Sequence, residues 1–372
     1  MNNKTGDILN MNYPEHLDKY GYVVIPCLEK FLGVDDNLNN YTQEFRTAVS
    51  NFPEYNAPKN MVDNGIPFVK GGFAALGNPS SFHNTFVRKI RKIAHSCVLN
   101  TVFLDILDEN KDLKFEQIID RMLFRRAGDK PVAESWHRDE SSGCKPGDTI
   151  YGGWINLDHY SQWFSGCPGT HKEVETNRGF AAIDNPKTMK RKRNESDEEY
   201  VKRKAVANTE WNRLQSLKKK IEIPPGHIFI FYERMIHEVV PSPKPQDQHR
   251  IFLGWRTTTC NEPLIPDLEK RLRDFAIIPI KSGQTPWMYS SNHWMYTNNR
   301  EKLVEWSKIL KDKCTEFREI KSGQFKGEKY RVVHRFMRSL KEYDLILYPQ
   351  LYPPYTQEEI DILKPQRYDI EN

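Results

Sequence analysis

The residues most suited to chemistry are His137 and Asp139, which have one residue between them and directly follow Trp136. In a β-strand, side chains two positions apart project from the same face, so this imidazole and this carboxylate would converge at a strand end. A converging pair of this kind can bind a metal ion. The spacing alone is not specific, because His16 and Asp18 repeat it in a segment that we predict to be a short helix. Positions two apart on a helix lie on different faces, so we do not expect the second pair to share an ion.

A third candidate ligand is His237, which follows Asp139 by 98 residues in a predicted strand. Two imidazoles and one carboxylate occupy one face of an ion and leave three coordination positions open, as in non-haem Fe(II) oxygenases. Neutral imidazole nitrogens and a carboxylate oxygen both suit Fe(II). His137, Asp139 and His237 therefore predict a ferrous centre with room for further ligands.

A candidate anion-binding residue follows in the segment RIFLGWR, where Arg250 lies 13 residues after His237. A buried arginine can hold a carboxylate through two parallel hydrogen bonds. On a strand, Arg250 and Arg256 share a face. We expect Arg250 to hold the distal carboxylate of a keto acid whose other end binds the metal, with Arg256 as the alternative.

The elements that must position these residues are short strands separated by turn signals, a pattern typical of a sandwich or a barrel-like pair of sheets. We predict strands within 22–25, 115–128, 148–158, 219–232, 236–239 and 249–259. The clearest helix carries an apolar stripe that should pack on a sheet. The stripe consists of Phe82, Phe86, Ile90, Ile93, Cys97 and Leu104.

An insertion of about residues 173–220 interrupts the strands, and basic and acidic blocks alternate within it. We interpret it as a solvated helical excursion with charge pairs and a thin apolar stripe. The stripe would consist of Val201, Val206, Trp211 and Leu214. The basic run Lys190–Arg193 leaves two further hypotheses open, a nuclear-targeting signal and a patch for an anionic partner.

The composition bounds the class of protein. The chain has 372 residues, of which 38% are hydrophobic and 28% charged, so it can form one large globular domain or two. No apolar run is long enough to span a bilayer, and the N-terminal segment lacks an apolar signal core. Six cysteines without a Cys-x-x-Cys spacing favour a reducing compartment, so we expect a cytoplasmic protein. The net charge of +5 permits an acidic partner without requiring one.

The ordered segments resemble the phytanoyl-CoA dioxygenase-like branch of the Fe(II)/2-oxoglutarate oxygenases over roughly residues 14–260. The matching segments are YGYVVIP (20–26), SWHRD (135–139), GGWINLD (152–158), CPGTHK (167–172), IPPGHIFIFYERMIHEVVP (223–241) and HRIFLGWR (249–256). The resemblance implies an α+β fold in which a double-stranded β-helix, or jelly roll, is flanked by helices. We assign this domain to residues 1–261. We expect residues 262–372 to form a mainly helical extension packed on the core.

The resemblance also implies roles for individual residues. The iron ligands would be His137, Asp139 and His237, with Arg250 on the distal carboxylate of 2-oxoglutarate and Trp154 lining the cosubstrate pocket. Relatives often carry a lysine near the cosubstrate in the strand before the ligands. Here that stretch is MLFRRAG, so either Arg125 or Arg126 takes the place of the lysine or the contact is absent. Arg138 would point away from the iron, into water or toward a substrate anion, and His171 would be structural.

The implied reaction is hydroxylation of an unactivated C–H bond, with Fe(II) as cofactor, 2-oxoglutarate and O2 as cosubstrates, and an optional supporting role for ascorbate. Succinate and CO2 would be the co-products. Halogenating relatives carry a small residue in place of Asp139, so the carboxylate favours hydroxylation or another oxidation. We expect a small-molecule substrate. Two alternatives stay open: an oxygenase that acts on nucleic acid or protein through the basic insertion, and a non-catalytic jelly-roll binding module. The sequence does not indicate an oligomeric state.

Overall fold

The computed structural model describes residues 11–28, 36–50, 74–75, 85–125, 134–140, 144–177, 179–239, 246–264, 268–269, 272, 317–319, 329–331 and 353–368. The helices are α1 (Tyr13–Tyr20), α2 (Asp36–Ser50), α3 (Thr85–Val98), α4 (Leu104–Glu109), α5 (Asp197–Leu217) and α6 (Gln357–Asp361), and a π-helical segment, Leu99–Phe103, joins α3 to α4. The strands are β1 (Tyr22–Pro26), β2 (Ala74–Ala75), β3 (Lys114–Arg125), β4 (Glu134–Arg138), β5 (Thr149–Asn156), β6 (Gln162–Gly166), β7 (Ala181–Ala182), β8 (Lys219–Ile223), β9 (His227–Tyr232), β10 (His237–Val239), β11 (Gln248–Thr258), β12 (Phe317–Glu319) and β13 (Lys329–Arg331).

Eight of the strands form a double-stranded β-helix. A six-stranded sheet has the order β1-β9-β5-β11-β3-β2, and a five-stranded sheet has the order β7-β4-β10-β6-β8. The pairings within both sheets are antiparallel. Along the chain, β3, β5, β9 and β11 join the first sheet, and β4, β6, β8 and β10 join the second. This crossing between two facing sheets is the jelly-roll topology, and it confirms the predicted α+β class.

Strands β5 and β9 at the centre of the six-stranded sheet carry apolar side chains on both faces because both faces are covered. Ile155 of β5 and Ile230 of β9 belong to the core that the sheet shares with α1, α2 and α3. Their chain neighbours Trp154 and Phe229 point the opposite way and pack with Phe164 of the five-stranded sheet. Alternation along each strand thus builds two cores, one under the helices and one inside the jelly roll.

Helix α1 is clamped to the turn that follows β6. The helix ends at Gly21, whose φ of +83° favours glycine, and a Cβ there would lie 2.5 Å from His171 Nδ1. His171 Nε2 lies 2.8 Å from the carbonyl oxygen of Asp18, and its ring packs on Tyr232. Burial lowers the pKa of His171. His171 is therefore a structural residue, as the sequence analysis expected.

The insertion contains the predicted helix, α5. Ser196 and Glu199 form a capping box at its start. Arg203 pairs with Glu195, with 2.5 Å between Nε and Oε1. The predicted combination of a helix and local charge pairs is therefore present.

The apolar stripe of α5 is shorter than predicted. Leu214 is buried, and Trp211 packs against the same cluster as Trp136. Val201 and Val206 are instead 64% and 65% exposed. The prediction was wrong for these two residues because only the C-terminal half of the helix lies on the sheet.

The C-terminal segment 353–368 packs on the core. Arg88 of α3 pairs with Glu359, with 2.6 Å between Nη2 and Oε2, and both side chains are largely buried. Phe115 of β3 exchanges two backbone hydrogen bonds with Gln366. These contacts extend the edge of the core with residues from the last part of the chain.

The rest of the predicted helical extension is described only in part. Phe317–Glu319 and Lys329–Arg331 pair as two antiparallel strands in stretches that were expected to be helical. The other residues of 273–352 lie outside the described residues.

The structure also bears on membrane spans and on cysteine pairing, two features considered from the composition. Among the described residues, no helix combines the length and the apolar character that a membrane span requires. The cysteines that the structure describes carry free thiols, as expected for a chain without a disulfide framework; they are Cys27, Cys97, Cys144, Cys167 and Cys260.

Candidate metal centre

Two neighbouring strands bring the two candidate histidines together. His137 on β4 and His237 on β10 are direct partners in the antiparallel pairing of the five-stranded sheet. Side chains of directly opposed residues project from the same face, so both imidazoles point the same way. Their ring centroids are 4.2 Å apart, and both residues are buried.

The end of β4 adds the carboxylate. Asp139 follows β4 directly, and its backbone N–H donates a 2.8 Å hydrogen bond to the carbonyl oxygen of Glu233. Its Oδ2 lies 3.9 Å from His137 Nε2 and 3.4 Å from His237 Nε2. One ligand atom from each of the three residues lies within 4.8 Å of the other two. The structure therefore brings together all three residues that were predicted to share an ion.

A backbone hydrogen bond sets the tautomer of His237. Its Nδ1 lies 2.9 Å from the carbonyl oxygen of Met235, which can only accept, so Nδ1 carries the proton. In the neutral imidazole, Nε2 then carries the lone pair, on the side of the cluster. Metal-binding histidines commonly donate their second N–H to a carbonyl or a carboxylate in this way.

The second His-x-Asp pair is not assembled. His16 and Asp18 lie on α1, where the His16 ring packs against Tyr20 and the Asp18 carboxylate pairs with Lys172 at 2.8 Å. The helix separates the two side chains, as predicted.

The floor of the cluster is aromatic, and its opposite side is accessible. The His237 ring stacks on Phe164 at 5.3 Å and contacts the edge of Phe231 at 5.1 Å. The Asp139 side chain is 39% exposed. A ligand from solvent can therefore approach the cluster from the side of Asp139.

Arg250 lies in the same jelly-roll interior. It is 8% exposed, and its guanidinium carbon is 4.1 Å from the centroid of the Trp154 ring. Trp154 in turn packs on Phe164, the residue that stacks on His237. One layer of aromatic rings therefore connects the guanidinium to the candidate metal ligands.

A buried polar network fixes the position of Trp154. Its Nε1 donates to Gln162 Oε1 at 3.1 Å, and Gln162 Nε2 donates to Asp158 Oδ2 at 2.7 Å. Asp158 also binds His249, with 2.8 Å between Oδ1 and Nδ1. His249 is the neighbour of Arg250, so the network ties the strand that carries the arginine to the tryptophan beneath it.

Arg256 has a different environment, although it was the alternative to Arg250. Its Nε lies 2.5 Å from Glu116 Oε1, and its Nη1 donates to Asp148 Oδ2 at 3.3 Å. Its Nη2 donates to the carbonyl oxygen of Glu262 at 2.9 Å. These contacts hold the chain beyond β11 against β3. Because the Arg256 guanidinium already contacts two carboxyl groups and a carbonyl, Arg250 is favoured as the anion-binding arginine.

The Glu116 carboxyl predicts a pH-dependent stability. Burial raises the pKa of Glu116 to about 8 from 4.5, against the opposing attraction of Arg256. Between these values the folded protein keeps a proton that the unfolded chain has released, so the free energy of unfolding should fall as the pH rises. Glu116→Gln should flatten this fall, whereas Glu109→Gln, at an exposed position, should not. Urea unfolding at about pH 5 and about pH 8.5 gives the free energy of unfolding at each pH. An equal fall of this free energy between the two pH values in wild type and Glu116→Gln would contradict the prediction.

The remaining predicted residues have mixed outcomes. Arg125 ends β3, but its side chain and the whole of Arg126 lie outside the described residues. Arg138 alternates with the ligands, as predicted, but it is buried and not in water. It donates to the carbonyl oxygen of Thr170 at 2.6 Å and to Glu173 Oε2 at 2.7 Å. The expectation of a solvated Arg138 was wrong because the insertion covers this side of β4.

Several residues around the site were not predicted from the sequence. Nothing in the local pattern marked Asp158, Gln162 or His249, which meet only when β5 pairs with β11 and the chain turns from β5 into β6 beside them. Strand β7, a two-residue strand within the insertion that pairs with β4 beside His137, was not predicted either. The proximity of His249 to Arg250 in the chain was the only available signal.

When the chain is compared with known proteins, solved structures are the only matches. The sequence matches no protein-family model and no curated protein. One matching structure is the carbocyclase SnoK from nogalamycin biosynthesis, described as non-heme and alpha ketoglutarate dependent, with 11% identity, coverage of 66% of this chain and 83% of that chain, and a TM-score of 0.40. Another is EvdO2 from Micromonospora carbonacea var. aurantiaca, with 14% identity, coverage of 67% and 91%, and a TM-score of 0.37. A third is EctD from S. alaskensis with 2-oxoglutarate and 5-hydroxyectoine, with 12% identity, coverage of 66% and 75%, and a TM-score of 0.38.

Similarity at this level does not show what this chain binds or catalyses. The phytanoyl-CoA dioxygenase-like assignment therefore stays a prediction. The function must be inferred from the side chains of the chain itself.

Proposed function

We propose that the protein is an Fe(II)- and 2-oxoglutarate-dependent oxygenase that hydroxylates a C–H bond of a small molecule. One observation carries the proposal: His137, His237 and Asp139 converge at the accessible side of a jelly-roll interior. Two imidazoles and one carboxylate with open positions are the ligand set of non-haem Fe(II) oxygenases.

The donor set suits a divalent ion of this kind. Ligands about 2.1 Å from one ion cannot be more than about 4.2 Å apart, and both separations that involve Asp139 are within that limit. With Nδ1–H held by the Met235 carbonyl, the neutral His237 imidazole can offer Nε2 as a ligand, and Asp139 can offer a carboxylate oxygen. No thiol belongs to the cluster, which favours a metal that prefers nitrogen and oxygen.

Arg250 and Trp154 would form the cosubstrate site. A guanidinium in the jelly-roll interior can hold the distal carboxylate of 2-oxoglutarate through two charge-assisted hydrogen bonds. Trp154 keeps the guanidinium in place by a cation–π contact, and its own indole N–H is held by Gln162. The pair would orient the keto acid and exclude water from its far end.

When bound, Fe(II), 2-oxoglutarate and O2 would supply the oxidation, in which one oxygen atom enters the substrate and the other enters succinate as CO2 is released. The side chains of the protein would hold the reacting groups together. His137, Asp139 and His237 would occupy three positions and leave the others for the cosubstrates. Stacking of His237 on Phe164 would keep its imidazole in one orientation.

The described insertion offers little support for a nucleic acid substrate. Arg191 pairs with Asp197 at 2.6 Å, and Arg213 pairs with Glu173 at 2.7 Å. Their charges are neutralised within the insertion, which favours the small-molecule alternative. Retention on immobilised nucleic acid that is lost at high salt would favour the macromolecular alternative instead.

We assign the proposed activity to residues 1–261 and treat residues 262–372 as an extension. The supporting contacts are those of the segment 353–368 with α3 and β3. The part of the extension that the structure describes contributes no residue to the cluster.

The test of the proposed function is conversion of 2-oxoglutarate to succinate without added substrate. The full-length protein is loaded anaerobically with Fe(II) and then exposed to oxygen, and succinate is quantified by mass spectrometry. We expect succinate that depends on both Fe(II) and 2-oxoglutarate. A protein that binds neither would be a non-catalytic jelly-roll module. Incubation with a metabolite extract would then identify a product that gains about 16 mass units, the mass of one oxygen atom.

A further inference from the structure

One large apolar side chain beside the candidate metal centre is exposed. Phe180 is 66% exposed, and it is the only aromatic residue among the exposed large apolar side chains of the described part of the chain. Its ring centroid lies 5.1 Å from that of His137, with an angle of 32° between the ring planes. One side of the phenyl ring therefore contacts a candidate ligand, while much of the ring remains in water.

The sheet register places Phe180 on the face that carries the ligands. In the pairing of β4 with β7, His137 is opposite Ala182 and Arg138 is opposite Ala181. Continued by one residue, this register places Phe180 opposite Asp139. Directly opposed residues share a face, so Phe180 projects to the same side as the metal ligands.

The backbone that carries Phe180 is held at several points. Glu140 Oε2 accepts hydrogen bonds from the Thr176 hydroxyl and from the Asn177 N–H, each at 2.5 Å. The Ile183 N–H donates to the carbonyl oxygen of Trp136 at 2.8 Å. These bonds lie on both sides of Phe180, so the ring is positioned by β4 itself.

The backbone next to Phe180 is not crowded by distant segments. At Gly179 a Cβ would have no neighbour within 4 Å apart from its two adjoining residues. The Asp139 carboxylate, on the same side of the cluster, is also partly exposed. An exposed ring fixed beside an accessible cluster is a surface on which an apolar ligand group can stack.

We propose that Phe180 contacts the substrate and determines its class: a small molecule with an apolar ring, aromatic or alicyclic, that stacks on the phenyl face next to the metal. This inference rests on the proposed function, since it assigns the substrate of that same site. A ring on Phe180 would carry its neighbouring C–H bonds toward the open positions beside His137 and Asp139.

The test uses indole as the apolar probe and Mn(II) as a paramagnetic ion in the proposed iron site. With Mn(II) and 2-oxoglutarate bound to the full-length protein, we expect faster relaxation of the indole protons, and little effect on glycerol. Phe180→Ala should reduce the indole effect about tenfold, the value of one good aromatic contact. Phe180→Tyr should retain most of it. Mn(II) occupancy, measured by electron paramagnetic resonance for each variant, corrects for any change in metal affinity.

The matched control is Val206→Ala, which removes an apolar side chain of almost equal exposure from α5. It should leave the relaxation of indole unchanged. Equal indole relaxation in Phe180→Ala and wild type, or equal effects on indole and glycerol, would overturn the role of Phe180 while the metal centre stands. If wild type binds Mn(II) no better than Asp139→Ala does, the metal centre itself fails, and the assignment of Phe180 fails with it.

Discussion

Asp139→Ala should abolish the formation of succinate and weaken binding of Mn(II) or Fe(II) by at least about 100-fold. The physical reason is the loss of the only anionic ligand, whose Oδ2 lies 3.4 Å from His237 Nε2. Loss of groups that merely orient ligands already costs about 10–100-fold in metal affinity, so the loss of a ligand should cost at least as much. Anaerobic titration with Mn(II), followed by the succinate assay under oxygen, measures both effects.

The chain provides its own control for this experiment. Asp18 has the same spacing from a histidine, but it is exposed and pairs with Lys172. Asp18→Ala should therefore leave metal binding and succinate formation unchanged, because an exposed ion pair contributes little. Full turnover by Asp139→Ala would refute its assignment as a ligand, and with it the proposed ferrous centre.

Arg250→Met should weaken the binding of 2-oxoglutarate by about 100-fold while metal affinity is kept. Two charge-assisted hydrogen bonds to the distal carboxylate would be lost, and a loss of about 3 kcal/mol corresponds to a factor of this size. Methionine keeps an apolar chain on Trp154, so the packing of that ring should survive. Calorimetric titration of 2-oxoglutarate into the Mn(II)-loaded protein gives the affinity directly.

The variant Arg256→Met tests which of the two arginines binds 2-oxoglutarate. Arg256 is buried against Asp148, so its removal should leave that buried carboxylate without its countercharge and cost about 3–5 kcal/mol of unfolding free energy. Binding of 2-oxoglutarate by the folded fraction should be unchanged. If Arg256→Met instead loses the keto acid and Arg250→Met does not, the assignment of the anion site moves to Arg256.

The two His-x-Asp pairs show what local sequence can decide. Both have the same spacing, yet the helical pattern around His16 excluded one pair, and the strand context of His137 kept the other. His237 was predicted as the third ligand from its residue type and strand context, and the resemblance then implied the same role, although 98 residues separate it from Asp139. The structure brings them together by pairing β10 with β4.

The residues that were missed share one physical cause. The Phe180 ring contacts His137 only because two residues of the insertion pair with β4. Arg138 is buried because Glu173 and Thr170 cover it from outside the strand. Such contacts join segments that are distant along the chain, so the periodic spacing of apolar residues does not predict them.

Local patterns of the chain by themselves predicted strands β1, β3, β5 and β8–β11, the amphipathic helix α3 and the residue types able to bind a metal. They could do so because the spacing of apolar side chains reports which face of an element is buried. Tertiary structure alone decided which candidates meet. Antiparallel pairing aligned His137 with His237. The contact of Arg250 with Trp154 distinguished it from Arg256, which lies against Glu116 and Asp148. The reason is that side-chain chemistry is local, whereas proximity and exposure depend on how distant segments pack.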